Sequence, residues 1–124
     1  MTYRTLTPDI VEAIHDAILN PVELSGRARD KSLEGALARV DNRLTYGLIT
    51  DVFDLAAAYA IAVSQGHCFN DGNKRTAHQS MDACLDLNGV QITWDALEIG
   101  PVIIRAAQGL LDEGELAHWL RQRL

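Results

Sequence analysis

Lysine is nearly absent from this chain: Lys31 and Lys74 are the only two in 124 residues. Basic side chains number 11 against 17 acidic ones, a formal net charge of −6. That is the wrong sign for a surface that tracks a phosphate backbone, so direct binding to nucleic acid is not expected. Cysteine is equally scarce, and Cys68 and Cys84 lack the close paired spacing of a zinc site. No leader-like segment opens the chain, so a reduced, cytoplasmic protein is expected. No apolar run approaches the ~20 residues that span a bilayer, so no membrane association is expected.

What is present suits one folded unit. Apolar residues make up 48% and charged residues 23%, a balance that supports a packed core. The length fits a single domain over residues 1–124. Thr7-Pro8-Asp9 carries the signs of a helix start: a cap, a first-turn proline and an early acid. Ile10, Ile14, Ala17 and Ile18 follow at helical spacing, ending near Asn20-Pro21. Pro21 to Arg29 reads as a loop, and Asp30 to Val40 as a second helix with Leu33, Ala36, Leu37 and Val40 on one face. Residues 42–50 lose that rhythm and carry β-formers around Gly47, which predicts an exposed flap or short hairpin. From Asp51 to Val63, 11 of 13 residues are apolar, which marks a helix buried nearly all round. Another helix is expected from Gly72-Asn73 to about Asn88, stopped by Gly89. Val90 to Thr93 reads as a short extended link. Two more helices follow, from about Asp95 to Gly109, with Pro101 as a break or a later start, and from Asp112 onward. The fold class is all-α and compact, with the flap as its one extended feature. Trp94 and Trp119 read as packing residues near the last helices, and His15 and His118, without companion ligands, as structural or surface residues.

One stretch carries chemistry: His67-Cys68-Phe69-Asn70-Asp71-Gly72-Asn73-Lys74-Arg75. At the head of a helix, several main-chain N–H groups lack intrahelical acceptors and the helix dipole adds partial positive charge, so phosphate is attracted there. Gly72 allows close main-chain approach, Asn73 adds an amide, and Lys74 and Arg75 add two full charges. Asp71 has the opposite sign, which makes sense if it holds Mg²⁺ against phosphate oxygens. An imidazole changes protonation near neutral pH, so His67 can take the proton of an incoming hydroxyl. A base, a metal ligand and an anion clamp are the parts phosphoryl transfer requires. Taken singly, each residue is as well read as turn or solvated surface; the set of seven residue types fixed over nine positions is what carries the argument.

His67-x-Phe69-x-Asp71-Gly72-Asn73-Lys74-Arg75-Thr76-Ala77 resembles the signature of death-on-curing (Doc) toxins, a branch of the Fic fold. Arg29-Asp30, Leu33-Glu34, Ala36 to Arg39, Asp54 to Ala60 and Asn88-Gly89 extend the likeness over nearly the whole chain. The resemblance implies a small helical Fic/Doc domain that acts as a toxin beside an antitoxin from a neighbouring gene. It implies His67 as general base, Asp71 as Mg²⁺ ligand, Gly72, Asn73, Lys74 and Arg75 as nucleotide-phosphate contacts, and Phe69 as an anchor of the loop. Fic enzymes that transfer a nucleotide monophosphate resemble His-Pro-Phe-x-(Asp/Glu)-Gly-Asn-Gly-Arg-x-x-Arg. Here Lys74 replaces the second glycine, His78 the last arginine and Cys68 the proline. In the Doc branch the lysine goes with transfer of the terminal phosphate of ATP to a target protein, a translation elongation factor. The alternatives are a Fic-type nucleotidyltransferase (AMPylation) and a non-catalytic module that recognises phosphate. In Fic relatives a flap aligns the target segment by strand addition, which singles out Tyr46 and Gly47. No Ser/Thr-x-x-x-Glu-(Gly/Asn) inhibitory motif occurs, which implies restraint by the separate antitoxin.

Overall fold

The computed structural model describes residues 2–123, and six helices run through them: α1 Pro8–Ile18, α2 Leu33–Thr45, α3 Val52–Gly66, α4 Asn73–Leu87, α5 Ala96–Ala107 and α6 Glu113–Arg121. Among the described residues there is no strand, only an isolated antiparallel bridge between Arg27 and Phe69. The architecture is all-α, as expected.

α3 is the centre. Eleven of its fifteen side chains are buried, and α2, α4, α5 and α6 all pack on it. Ala56, Ala57, Ala58, Ala60 and Ala62 let those neighbours approach closely, while Tyr59 fills the remaining space. The Asp51 side chain caps α3 by accepting from the Asp54 N–H at 2.9 Å. Arg121 of α6 donates to both carboxylates, fastening the C-terminal helix to the head of the central one.

The chosen face of α2 is the buried one: Leu33, Ala36, Leu37 and Val40 all enter the core. The helix starts later than Asp30, because that residue sits at φ 65° and Ser32 is the cap, accepting from the Gly35 N–H at 2.9 Å. It also runs further, through residues expected to form a flap. Asn42 to Thr45 are helical, Tyr46 is the C-cap, and Gly47 at φ 72° turns the chain. The reading of residues 42–50 as a hairpin is therefore corrected. Leu44 packs against the core and continues the apolar row of Val40, so helical burial outweighs local β-propensity.

α1 begins as expected, with the Thr7 hydroxyl accepting from the Ile10 N–H. Its buried face is another matter. Val11 and His15 enter the core, whereas Ile10 is 39% exposed and Ala17 is exposed. The expected stripe is about one residue, or 100°, around the helix from the packed face. Ile14, Ala17 and Ile18 instead line an open groove of about 750 Å³ against α4 and residues 90–93. Gly89, at φ 84°, stops α4 as anticipated. α5 continues unbroken through Pro101, and Gly100 before it has no Cβ to meet the proline ring. α6 opens on a reciprocal cap between Asp112 and Glu115. Trp94 and Trp119 stack at 5.7 Å, under the cation of Arg123.

Candidate active site

The motif spans the turn from the central helix into α4. His67 ends α3 at φ 48° and ψ 41°, a left-handed conformation more often given to glycine or asparagine. Holding a β-carbon there costs about 1 kcal/mol or more, and such strain gathers at working sites. Gly66 before it is required by space: a Cβ would lie 2.9 Å from the Cys68 sulfur. Gly72 is required by its backbone, at φ 79°, rather than by crowding.

Gly72 is the N-cap of α4 and has no side chain to satisfy the first turn. The first intrahelical bond is donated by Thr76 to the Gly72 carbonyl, so the N–H groups of Asn73, Lys74 and Arg75 precede the helical ladder. They open onto a pocket of about 520 Å³ whose lining includes His67, Asp71, Gly72, Asn73, Lys74 and Arg75. The structure thus brings together every residue expected at the chemical centre. His78 joins them, with its Nε2 3.2 Å from Asp82, and α5 closes the far wall with Gly100, Ile103 and Ile104. The roomier groove beside α1 contains none of the motif residues, so size does not locate the chemistry.

Several motif side chains already have partners, and Asn70 donates its amide to the Ser25 carbonyl at 3.0 Å. Asn73 accepts from the Phe69 N–H at 3.0 Å and donates to the Phe69 carbonyl at 2.8 Å. Its amide therefore braces the loop, and its main-chain N–H is what it offers a ligand. Arg75 pairs with Glu23 and donates to the Ile18 carbonyl at 3.2 Å. The main-chain N–H of Asn20, and then Arg75, hold the Glu23 carboxyl below the usual carboxylate range. Asp71 Oδ2 accepts from the Leu24 N–H at 2.8 Å, while Oδ1 has no protein donor among the described residues. Those residues also contain no cluster of three or more metal-ligating side chains, so Asp71 would be a lone carboxylate ligand.

Phe69 is buried and stacked on His15, its ring centroid 3.9 Å away. Cys68 is buried as well, which pushes its thiol up and makes it a poor nucleophile.

Sequence reasoning missed what holds the loop from outside. The segment before α2 runs along the motif: Ala28 N–H donates to the Cys68 carbonyl at 2.8 Å and Asn70 N–H to the Gly26 carbonyl at 3.2 Å. Arg27 fastens that segment to α1 through Glu12 and to α2 through Glu34, and those bonds raise its own pKa further. The main chain that pairs with the motif is thus residues 26–28. Tyr46 and Gly47 do not line the pocket; they cap the far end of α2, about 20 Å along the helix from Ser32. Ser32 is the end that meets the motif, its carbonyl 3.6 Å from the Cys68 sulfur. Exposure of Tyr46 and a glycine suggested a flap, but no local signal tells which helix end faces the site.

The profile of the Fic/DOC family matches residues 5–85, nearly two thirds of the chain and all of the motif. The protein belongs to the Fic/DOC family. Among its relatives, the protein kinase doc of Escherichia phage P1 is 37% identical over 120 residues, covering 96% of this chain and 94% of that protein. No helix among the described residues is long and apolar enough to cross a membrane.

Proposed function

We propose that this protein is a Mg²⁺-dependent protein kinase of the Doc type, which moves the γ-phosphate of ATP to a hydroxyl of a target protein. The carrying observation is the single pocket in which His67, Asp71 and the uncapped head of α4 meet, with Lys74 in its first turn. The phage P1 relative is named a protein kinase, which supports the same choice.

His67 takes the proton of the target hydroxyl as its oxygen attacks the γ-phosphorus. The bond from that phosphorus to the β–γ bridging oxygen breaks, and ADP leaves. The N–H groups at the head of α4 and the ammonium of Lys74 hold the phosphate oxygens as charge shifts among them. Lys74 replaces the glycine of nucleotidyl-transferring relatives, and its side chain and charge occupy space a nucleotide would otherwise take. Arg75 joins the clamp once it leaves Glu23. Asp71 fits a Mg²⁺ ligand: it is half-buried at the pocket with one oxygen open, and Mg²⁺ is commonly held by one or two carboxylates with phosphates and water. When bound, the ion would neutralise phosphate charge.

The wider setting follows from the same reading: a toxin held in check by an antitoxin, whose target is a translation elongation factor. The target segment docks along the main chain of residues 26–28, where strand-like pairing with the motif already occurs.

Two isotopes test the reaction. γ-Labelled ATP with lysate should mark a protein, and α-labelled ATP should not. His67→Ala should slow labelling by ~10²–10⁴-fold. Label from the α-position in protein would mean nucleotidyl transfer; nucleotide binding without any labelling would leave a non-catalytic phosphate module.

A further inference from the structure

His15 lies on α1, 56 residues from the motif in sequence, and its side chain is fully buried. Its Nε2 is 2.7 Å from the carbonyl oxygen of Asp71. A carbonyl only accepts, so Nε2 carries the proton and donates. Its ring face lies on Phe69, inclined by 7°. Its Cδ2 lies 3.7 Å from where a Cβ on Gly72 would stand. One imidazole therefore touches Phe69, Asp71 and the position of Gly72.

Packing alone does not explain a histidine here. The site follows Val11 by one turn on a buried face, where an aliphatic side chain would serve. The imidazole leaves Nδ1 buried without a hydrogen bond, and Asp16 is 3.4 Å away without forming one. A buried unsatisfied nitrogen is unfavourable, so the donated bond to Asp71 is what distinguishes histidine from leucine at this position.

That bond fixes a peptide plane. No peptide among the described residues is cis, and in a trans peptide the carbonyl and the following N–H point in opposite directions. With the Asp71 carbonyl drawn toward α1, the Gly72 N–H points away from α1. Glycine is the residue that most readily tolerates the reversed plane, so the orientation needs an external hold. The Leu24 N–H holds the carboxylate of the same residue. We propose that His15 is a positioning residue that locks the 71–72 peptide so that the Gly72 N–H joins the anion-holding groups at the head of α4. This rests on the reading of that helix head as the phosphate site.

The test compares His15→Phe, which keeps an aromatic ring and removes the donor, with His15→Gln, whose amide can donate again. ATP affinity is measured by calorimetry, stability by thermal unfolding, and the Gly72 amide by its ¹H–¹⁵N resonance. His15→Phe should weaken ATP binding about ten- to hundredfold, the effect of one lost hydrogen bond to a charged phosphate, and should move or double the Gly72 resonance. His15→Gln should recover most of both. Equal ATP affinity in wild type and His15→Phe, or equal losses in both variants in step with melting temperature, overturns the role of His15 and leaves the kinase reading standing. Absence of ATP binding by the wild type overturns the kinase reading itself, and an unmoved Gly72 resonance then removes the peptide lock as well. If His15→Phe does not fold, His15→Met replaces it in the same comparison.

Discussion

Arg75 is the one cation of the proposed clamp that has an anionic partner, and this makes its role measurable by a gain. Glu23→Gln removes the charge that competes with phosphate, while the amide oxygen can still accept from the Asn20 N–H that holds the loop. The Arg75 side chain is 43% exposed, so water and salt screen the pair. Exposed pairs shift equilibria by about 1.5- to 5-fold, which sets the expected tightening of ATP binding. Calorimetric titration at low salt should show that gain, and it should shrink as ionic strength rises. Arg75→Ala should weaken binding and cancel the benefit of Glu23→Gln when the two are combined, because both act through the same contact. If Glu23→Gln binds no tighter and Arg75→Ala binds as well as wild type, Arg75 does not reach the phosphates. The clamp would then consist of Lys74 and main-chain N–H groups alone.

Two further predictions concern the frame that carries the site. Tyr59 is fully buried, its hydroxyl accepts from the Leu6 N–H at 2.8 Å, and burial pushes the phenol up to about 12. Tyr59→Phe keeps the ring but strands that N–H, so urea unfolding should show a loss of about 1–2 kcal/mol; an unchanged midpoint would mean the N–H finds water. Arg121 holds Asp51 below the usual carboxylate range, and hydrogen bonds from Thr50 and Arg121 outweigh burial to do the same for Asp54. Carboxyls depressed on folding stabilise the protein above their unfolded pKa and lose that contribution as pH falls through the folded one. Arg121→Ala should therefore cost about 1 kcal/mol at neutral pH, discounted for the screening of a partly exposed group, with the gap to wild type closing below about pH 4. A gap that does not vary with pH would assign the loss to packing.

The motif was legible because its residues are contiguous. Nine neighbouring residues state a base, an acid and a cationic helix start, and local rules put them at the head of α4, where Gly89 and the buried rhythm of α3 also fell as expected. The misreadings arise where a helix offers more apolar surface than its neighbours can cover. α1 carries two candidate rows, and the one rich in isoleucine is the obvious choice from composition, yet the packed row is Val11 and His15. α2 overran its expected end because Leu44 finds the core, a fact that lies in its partners and not in its own sequence.

The same logic explains why the supports of the site stayed hidden. Leu24 and Glu23 reach Asp71 and Arg75 across 47 and 52 residues, and neither carries a local mark of function. Glu23 looks like loop polarity, and Leu24 acts only through its main chain. A loop with left-handed backbone at His67 and Gly72 cannot be held by its own few residues, since Asn73 already uses its whole side chain on Phe69. The remaining restraint comes from elements outside the loop. Here those are α1 and the segment that follows it, so changes in that region should alter the chemistry without touching any residue of the motif.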